Sequence, residues 1–272
     1  MSKVSQENGK RGRIGPILTL ATVAFFLAAG IYFVIAPTRE PKRLEQSLID
    51  RYGWADKYTP IIDGTIPPHR LEGFIRVREA LQPNCLDYQG ILDGVLAIEN
   101  IETNQEMSPV EKTSTGIRSF MGIFGTLPAI AEFMEVRNSS LLAEEMGLGE
   151  YMYIYLAAYG KQLANESVAS YSAMEEAYIN SRTRDEFVQI LGNQLAALET
   201  AGPEASPEGL IADLRAEIEA IEDGSHTSPW PNGLTGMTRE SLAPYQEQLA
   251  KLYCAGIVAI ELQQKNRGFS FD

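Results

Sequence analysis

The chain has 272 residues, 44% of them hydrophobic and 22% charged, and a formal net charge of −13. These proportions belong to a chain that folds around a core, and they exclude a disordered or fibrous polymer. Residues 1–37 hold four basic side chains (Lys3, Lys10, Arg11, Arg13) and one acid (Glu7), so the remainder carries 19 basic and 35 acidic residues, a charge of −16. A surface this acidic repels polyphosphates, and no basic stripe offsets it, which argues against nucleic acid as a partner.

The first element in chain order is apolar. No residue from Ile14 to Thr38 is charged, and Pro16 to Ala36 as a helix would measure about 31 Å, matching a bilayer core of about 30 Å. Residues 14–37 are therefore expected to form a single transmembrane anchor behind a short basic tail, residues 1–13. The competing reading is a cleaved signal peptide, which has an apolar core of about 7 to 15 residues and a small-residue cut site. Here the run is longer, and Val34-Ile35-Ala36 is followed by Pro37; Ala28-Ala29 is a small pair within it. No cysteine lies near the end of the run to accept a lipid. Four basic side chains precede the span and Arg39, Lys42 and Arg43 follow it closely. The preferred topology places the basic tail inside and the acidic domain outside, in a bacterium the periplasm.

Residues 38–272 read as one acidic, all-helical soluble domain, joined to the anchor by a short linker near Thr38 to Lys42. Apolar residues recur at helical spacing in Leu71, Phe74, Ile75, Val77 and Leu81, then Ile91, Leu92, Val95 and Ile98. Ser108-Pro109-Val110-Glu111 has the pattern of a capping box and predicts a helix start. The uncharged stretch Ser119 to Ala131 is too short to span a bilayer and reads as a buried central helix, kinked or broken at Pro128. Thr183-Arg184-Asp185-Glu186, Ser206-Pro207 and Thr238-Arg239-Glu240 predict three further starts. Leu210, Ile211, Leu214, Ile218 and Ile221 form one apolar stripe, and Leu249, Leu252, Tyr253, Gly256, Ile257 and Ile260 another. Turn chemistry places loops at Thr59 to Pro68, at Gly202-Pro203 and from Gly224 to Gly236. Strand-like alternation is nearly absent, so the fold expected is all-α: an irregular bundle of about six to eight helices behind a single membrane helix.

Chemistry is sparse in the sequence. Neither His69 nor His226 sits in a His-x-x-x-His or Glu-x-x-His pattern, so no metal site is expected. No nucleophile elbow and no phosphate-binding glycine loop is present, and Gly116, Gly122 and Gly125 suit close helix packing. Glu144-Glu145, Glu175-Glu176 and Asp185-Glu186 are adjacent pairs that diverge by about 100° on a helix, and so do not converge on one substrate. No catalytic residue and no cofactor is expected. Arg76 and Arg78 flank Val77; solvated pairing such as Arg76 with Glu79 is the simpler reading, and an inward arginine paired to a bundle acid is the other.

Two features remain. Tyr151, Tyr155 and Tyr159 fall at i, i+4 and i+8 and share one helix face. Such a stripe packs into a core with its hydroxyls at the edge, or lines a ligand or partner surface. Cys85 and Cys254 are either one disulfide, allowed if the domain is exported, or two buried thiols. The expected function is that of a membrane-anchored envelope protein that binds or scaffolds another component, a protein partner being one possibility, without catalysis. The alternative is a tethered enzyme or small-ligand binder whose acids and tyrosines meet between helices.

Overall fold

The computed structural model describes residues 39–102, 128–169, 181–202, 209–223, 228–255, 257 and 261–262. All elements among them are helical: α1 (Arg39–Tyr52), α2 (Pro68–Glu102), α3 over residues 128–143, α4 (Leu148–Ala169), α5 (Ser181–Ala201), α6 (Leu210–Asp223), α7 (Gly236–Leu242) and α8 (Gln246–Lys251), with single 3-10 turns at Ala55–Lys57 and Ala243–Tyr245. The all-α expectation holds for this part of the chain. Among the described residues no helix is long and apolar enough to cross a membrane. The expected anchor from Ile14 to Ala36, the Ser108 capping box and residues 119–127 of the expected central helix lie outside them.

The chain's central element is α4. Tyr151 to Ala157, Tyr159 and Leu163 are all buried, and these residues cover its whole circumference. A helix apolar all round has no solvent face to present, so its neighbours must enclose it. Elements α1, α2, α5, α8 and the Ala55–Lys57 turn all pack on it. From α2 come Leu71, Phe74, Val77 and Leu81, each 0% exposed. Burying a side chain of this size stabilises the fold by roughly 1.5 to 3 kcal/mol.

Close approach at the start of α4 depends on glycine. A Cβ on Gly149 would lie 2.3 Å from the Ala55 carbonyl oxygen and 2.5 Å from the Tyr58 Cβ. Backbone cannot yield as a flexible side chain can, so Gly149→Ala is expected to destabilise the domain by about 2 kcal/mol through overpacking. Chemical denaturation would show this as a lower midpoint with an unchanged slope; an unaltered midpoint would contradict the packing described.

The loop before α2 turns as its residues suggest. Gly64 has φ +80°, the Asp63 carboxylate accepts from the Thr65 amide at 2.8 Å, and the Gly64 amide donates to the Ile61 carbonyl at 2.9 Å. Gly202, at φ +86°, closes α5 by donating its amide hydrogen bond to the Leu198 carbonyl at 3.2 Å. Helix α3 ends with Glu145 in the left-handed region at φ 51°. There the Met146 amide reaches back to Leu141 and the Glu145 amide to Leu142, the paired bonds of a Schellman ending.

Four expectations are corrected. The linker near Thr38 to Lys42 is helical from Arg39 onward, because Pro41 falls in the first turn where proline is tolerated and Glu40 complements the helix dipole. Thr183 lies buried inside α5, which already begins at Ser181. Thr238 does not start a helix: Thr235 is the N-cap residue of α7, and the Thr238 hydroxyl donates to the Gly64 carbonyl at 2.8 Å. The stripe from Leu249 onward is not one helix, since α8 ends at Lys251 and residues 252–255 are non-helical.

Candidate functional site

That early end of α8 builds the most unusual part of the interior. Leaving the helix frees the Leu252 carbonyl, which accepts from Arg78 Nη2 at 2.8 Å. Two residues on, Cys254 is joined to Cys85 of α2 by a disulfide, with a Cα–Cα distance of 5.7 Å across 169 residues of sequence. Further along, Glu261 comes back against α2, α3 and α4.

Arg78 and Glu261 are both 0% exposed and form an ion pair. The Tyr151 hydroxyl donates to Glu261 Oε1 and accepts from Arg78 Nη1 at 3.1 Å, so the phenol bridges the pair. Arg78 also lies over two aromatic faces, its Cζ 5.3 Å from the Tyr155 ring centre and 5.4 Å from that of Tyr159. This is the geometry in which ring quadrupoles stabilise a cation. The rings support each other: Tyr155 and Tyr159 meet edge to face at 4.9 Å, and Phe74 leans on Tyr151 at 5.2 Å. Burial works against the Arg78 charge, and the phenolic oxygens of Tyr151, Tyr159 and Tyr155 more than offset it, holding the guanidinium above its ordinary range.

A second arginine stands behind the first. Arg137 of α3 is also 0% exposed. It donates from Nη1 to the Glu261 carbonyl and from Nε to the Asn138 side chain at 2.9 Å, while Asn138 Nδ2 donates to the Pro41 carbonyl at 3.1 Å. Burial lowers the Arg137 pKa, with Glu45 and Tyr151 opposing; a guanidinium nevertheless keeps its proton at any pH where a protein is folded. Arg78, Arg137, Glu261 and Glu45 are thus all buried, with the tyrosine stripe gathered round Arg78.

The tyrosine face singled out from the sequence is therefore wholly enclosed, with its three rings gathered round Arg78. Cys85 and Cys254 are paired. Arg76 corrects the expectation of pairing with Glu79: it takes Glu144 with two hydrogen bonds, at 2.9 and 2.7 Å, on the exposed surface. Arg78 follows the inward alternative. Of the acidic pairs, Glu144 and Glu145 are split between Arg76 and Arg51, and Asp185 is separated from Glu186, which pairs with Arg182. His69 is exposed at the start of α2. Among the described residues no group of three or more His, Cys, Asp or Glu side chains is placed to hold a metal ion.

Arg137, Asn138 and Glu261 were not foreseeable as partners from spacing, since the hydrogen bonds that tie them to Glu261, Pro41 and Tyr151 span 124, 97 and 110 residues. The same holds for Asn193 and Gln194 of α5, which clamp the loop after α1 by donating to the Asp56, Tyr58 and Ile61 carbonyls at 2.9, 2.9 and 3.0 Å. Arg70 likewise joins three elements: its guanidinium takes Glu150 in the first turn of α4 and the last carbonyls after α3, those of Glu144 and Glu145, at 3.3 and 3.2 Å.

Burial pushes the Tyr151 hydroxyl up to about 12 against the pull of Arg78. It does the same for Tyr153, also to about 12, with its hydrogen-bond contact to the Thr238 hydroxyl opposing. An unfolded tyrosine ionises near 10. Below that pH both states keep the proton and nothing is lost; between about 10 and 12 the unfolded chain releases protons that the folded chain retains, and stability falls. Alkaline titration should show a late tyrosinate absorbance step coinciding with loss of helical dichroism. Complete tyrosine ionisation with the helix signal intact would contradict the enclosure of these phenols.

A scan of the chain against protein-family models, a search among curated proteins and a search among solved structures each returned no match. The functional reading rests on the chain's own residues.

Proposed function

We propose that this chain is a membrane-anchored extracytoplasmic module that binds or scaffolds another component without catalysing a reaction. The observation that carries the reading is the Cys85–Cys254 disulfide. Structural disulfides persist in oxidising compartments and are rare in the cytosol, which agrees with the uncharged run from Ile14 to Ala36 serving as an export signal and anchor. The interior agrees with a binding role rather than catalysis. Within the buried charged cluster, Arg78, Arg137, Tyr151 and Glu261 are each 0% exposed, whereas a catalytic set must reach its substrate.

Protease added to sealed spheroplasts tests the topology. Digestion of the domain, with a cytoplasmic marker spared, supports the reading; a domain degraded only after lysis overturns it. Native co-purification from mildly crosslinked membranes then tests the role. A reproducible protein partner supports scaffolding, and a retained metabolite or glycan without one supports the pocket alternative.

A further inference from the structure

Helix α1 is fixed to the body along one side and open along the other. Pro41, Glu45, Leu48 and Ile49 are buried, the Asn138 side chain holds the Pro41 carbonyl at 3.1 Å, and Arg51 pairs with Glu145 at the far end at 2.9 Å. The open side carries Arg39, Lys42, Arg43, Gln46 and Asp50, all exposed. Steps of three and four residues place them in one row along the helix. Three basic residues begin that row, and its one acid, Asp50, stands at the end away from the apolar run.

The start of α1 thus reverses the sign of an otherwise acidic domain. Glu40 answers Arg43, whereas among the described residues no acid pairs with Arg39 or Lys42. Only Pro37 and Thr38 separate Arg39 from Ala36, where the uncharged run ends, and three peptide steps span at most about 11 Å. With that run in the bilayer, the first turn of α1 stands in or beside the headgroup layer, which extends roughly 6 Å beyond the hydrocarbon core. Anionic headgroups attract lysine and arginine over about one Debye length and repel the acids that dominate the rest of the surface. Because α1 is tied to α3 by Asn138 and packs on α4, a contact made by its basic row orients the whole domain.

We infer that Arg39, Lys42 and Arg43 form a docking surface for anionic phospholipid headgroups, which holds the domain with α1 against its own membrane. This rests on the anchor in the function proposed above, and the test separates the two.

The full chain is reconstituted into nanodiscs of phosphatidylcholine alone and of phosphatidylcholine mixed with phosphatidylglycerol. Acetylation of Lys42 is followed by peptide mass spectrometry, relative to exposed Lys251 of α8. Lys42 should react about fivefold more slowly in the anionic disc, and added salt should remove the difference. In Arg39→Gln with Arg43→Gln, both exposed positions, most of the slowing should disappear. Equal Lys42 rates in the two discs overturn the inference, as does slowing that persists in full in the double variant, which proximity to the lipid alone would produce. Either result leaves the anchor standing, since the chain has entered the disc. A chain that enters neither disc overturns the anchor and the docking surface together.

Discussion

Arg78→Ala is expected to lower the stability of the domain by about 3 to 5 kcal/mol, the range for removing one partner of a buried ion pair. The substitution strands the Glu261 carboxylate, deprives the Tyr151 hydroxyl of a donor and withdraws the cation from the Tyr155 and Tyr159 faces. Arg76→Ala, two residues away, is the control. Arg76 is 53% exposed in its pair with Glu144, and exposed pairs are worth about 1 kcal/mol at most. The contrast separates burial from charge, since both residues lose the same guanidinium. Replacing the pair together, as Arg78→Met with Glu261→Leu, should recover most of the loss, because paired apolar groups leave no charge unanswered. Urea unfolding of the four proteins reads all of this; an Arg78→Ala midpoint no lower than that of Arg76→Ala would contradict the network.

Loss of the disulfide should have an effect of the same order. Cys85 and Cys254 close a loop with a sequence separation of 169, for which the chain-entropy model gives about 5 kcal/mol. The paired substitution Cys85→Ser with Cys254→Ser is the cleaner variant, since a single change leaves a reactive thiol beside a buried hydroxyl. Besides the loss of global stability, hydrogen exchange should quicken first at Leu252 and Ile257, because the bond fixes the segment that supplies the Leu252 carbonyl to Arg78. Unchanged exchange there would mean that non-covalent packing holds the segment unaided.

The helices were legible where their patterns are local. Leu71, Phe74, Val77 and Leu81 repeat at helical spacing and all reach the core, and the Asp63-Gly64 and Gly202-Pro203 breaks announce themselves through turn chemistry. The helix ends were harder. Thr235 and Thr238 both suit a cap, and only the Gly64 carbonyl, 174 residues earlier in the chain, decides what Thr238 does. The apolar stripe through Leu252 and Ile257 reads as continuous because apolar spacing records burial, and Leu252 and Ile257 are buried although residues 252–255 are non-helical.

The site was legible only in its aromatic half. Tyr151, Tyr155 and Tyr159 declare a common face through spacing alone, but what that face meets is a matter of tertiary pairing. Arg78 reads as one of two surface-like arginines until α4 is laid against α2. Glu261 is separated from Tyr151 by 110 residues and from Arg137 by 124, and no local rule links charges so far apart. Buried charge is exceptional enough that solvation is the better expectation for any arginine met in isolation, and Arg78 departs from it because three phenols, a carboxylate and a backbone carbonyl are gathered at one place.

In the function proposed above, the domain is held at the membrane, exported, and closed by the Cys85–Cys254 disulfide around a buried charged core. Non-reducing peptide mapping of the full-length protein, recovered from carbonate-washed membranes with free thiols blocked at lysis, tests it most directly. A single cross-linked species joining the peptides of Cys85 and Cys254 is expected, in protein retained by the washed membrane. Protein released by the wash with both cysteines alkylated would contradict it.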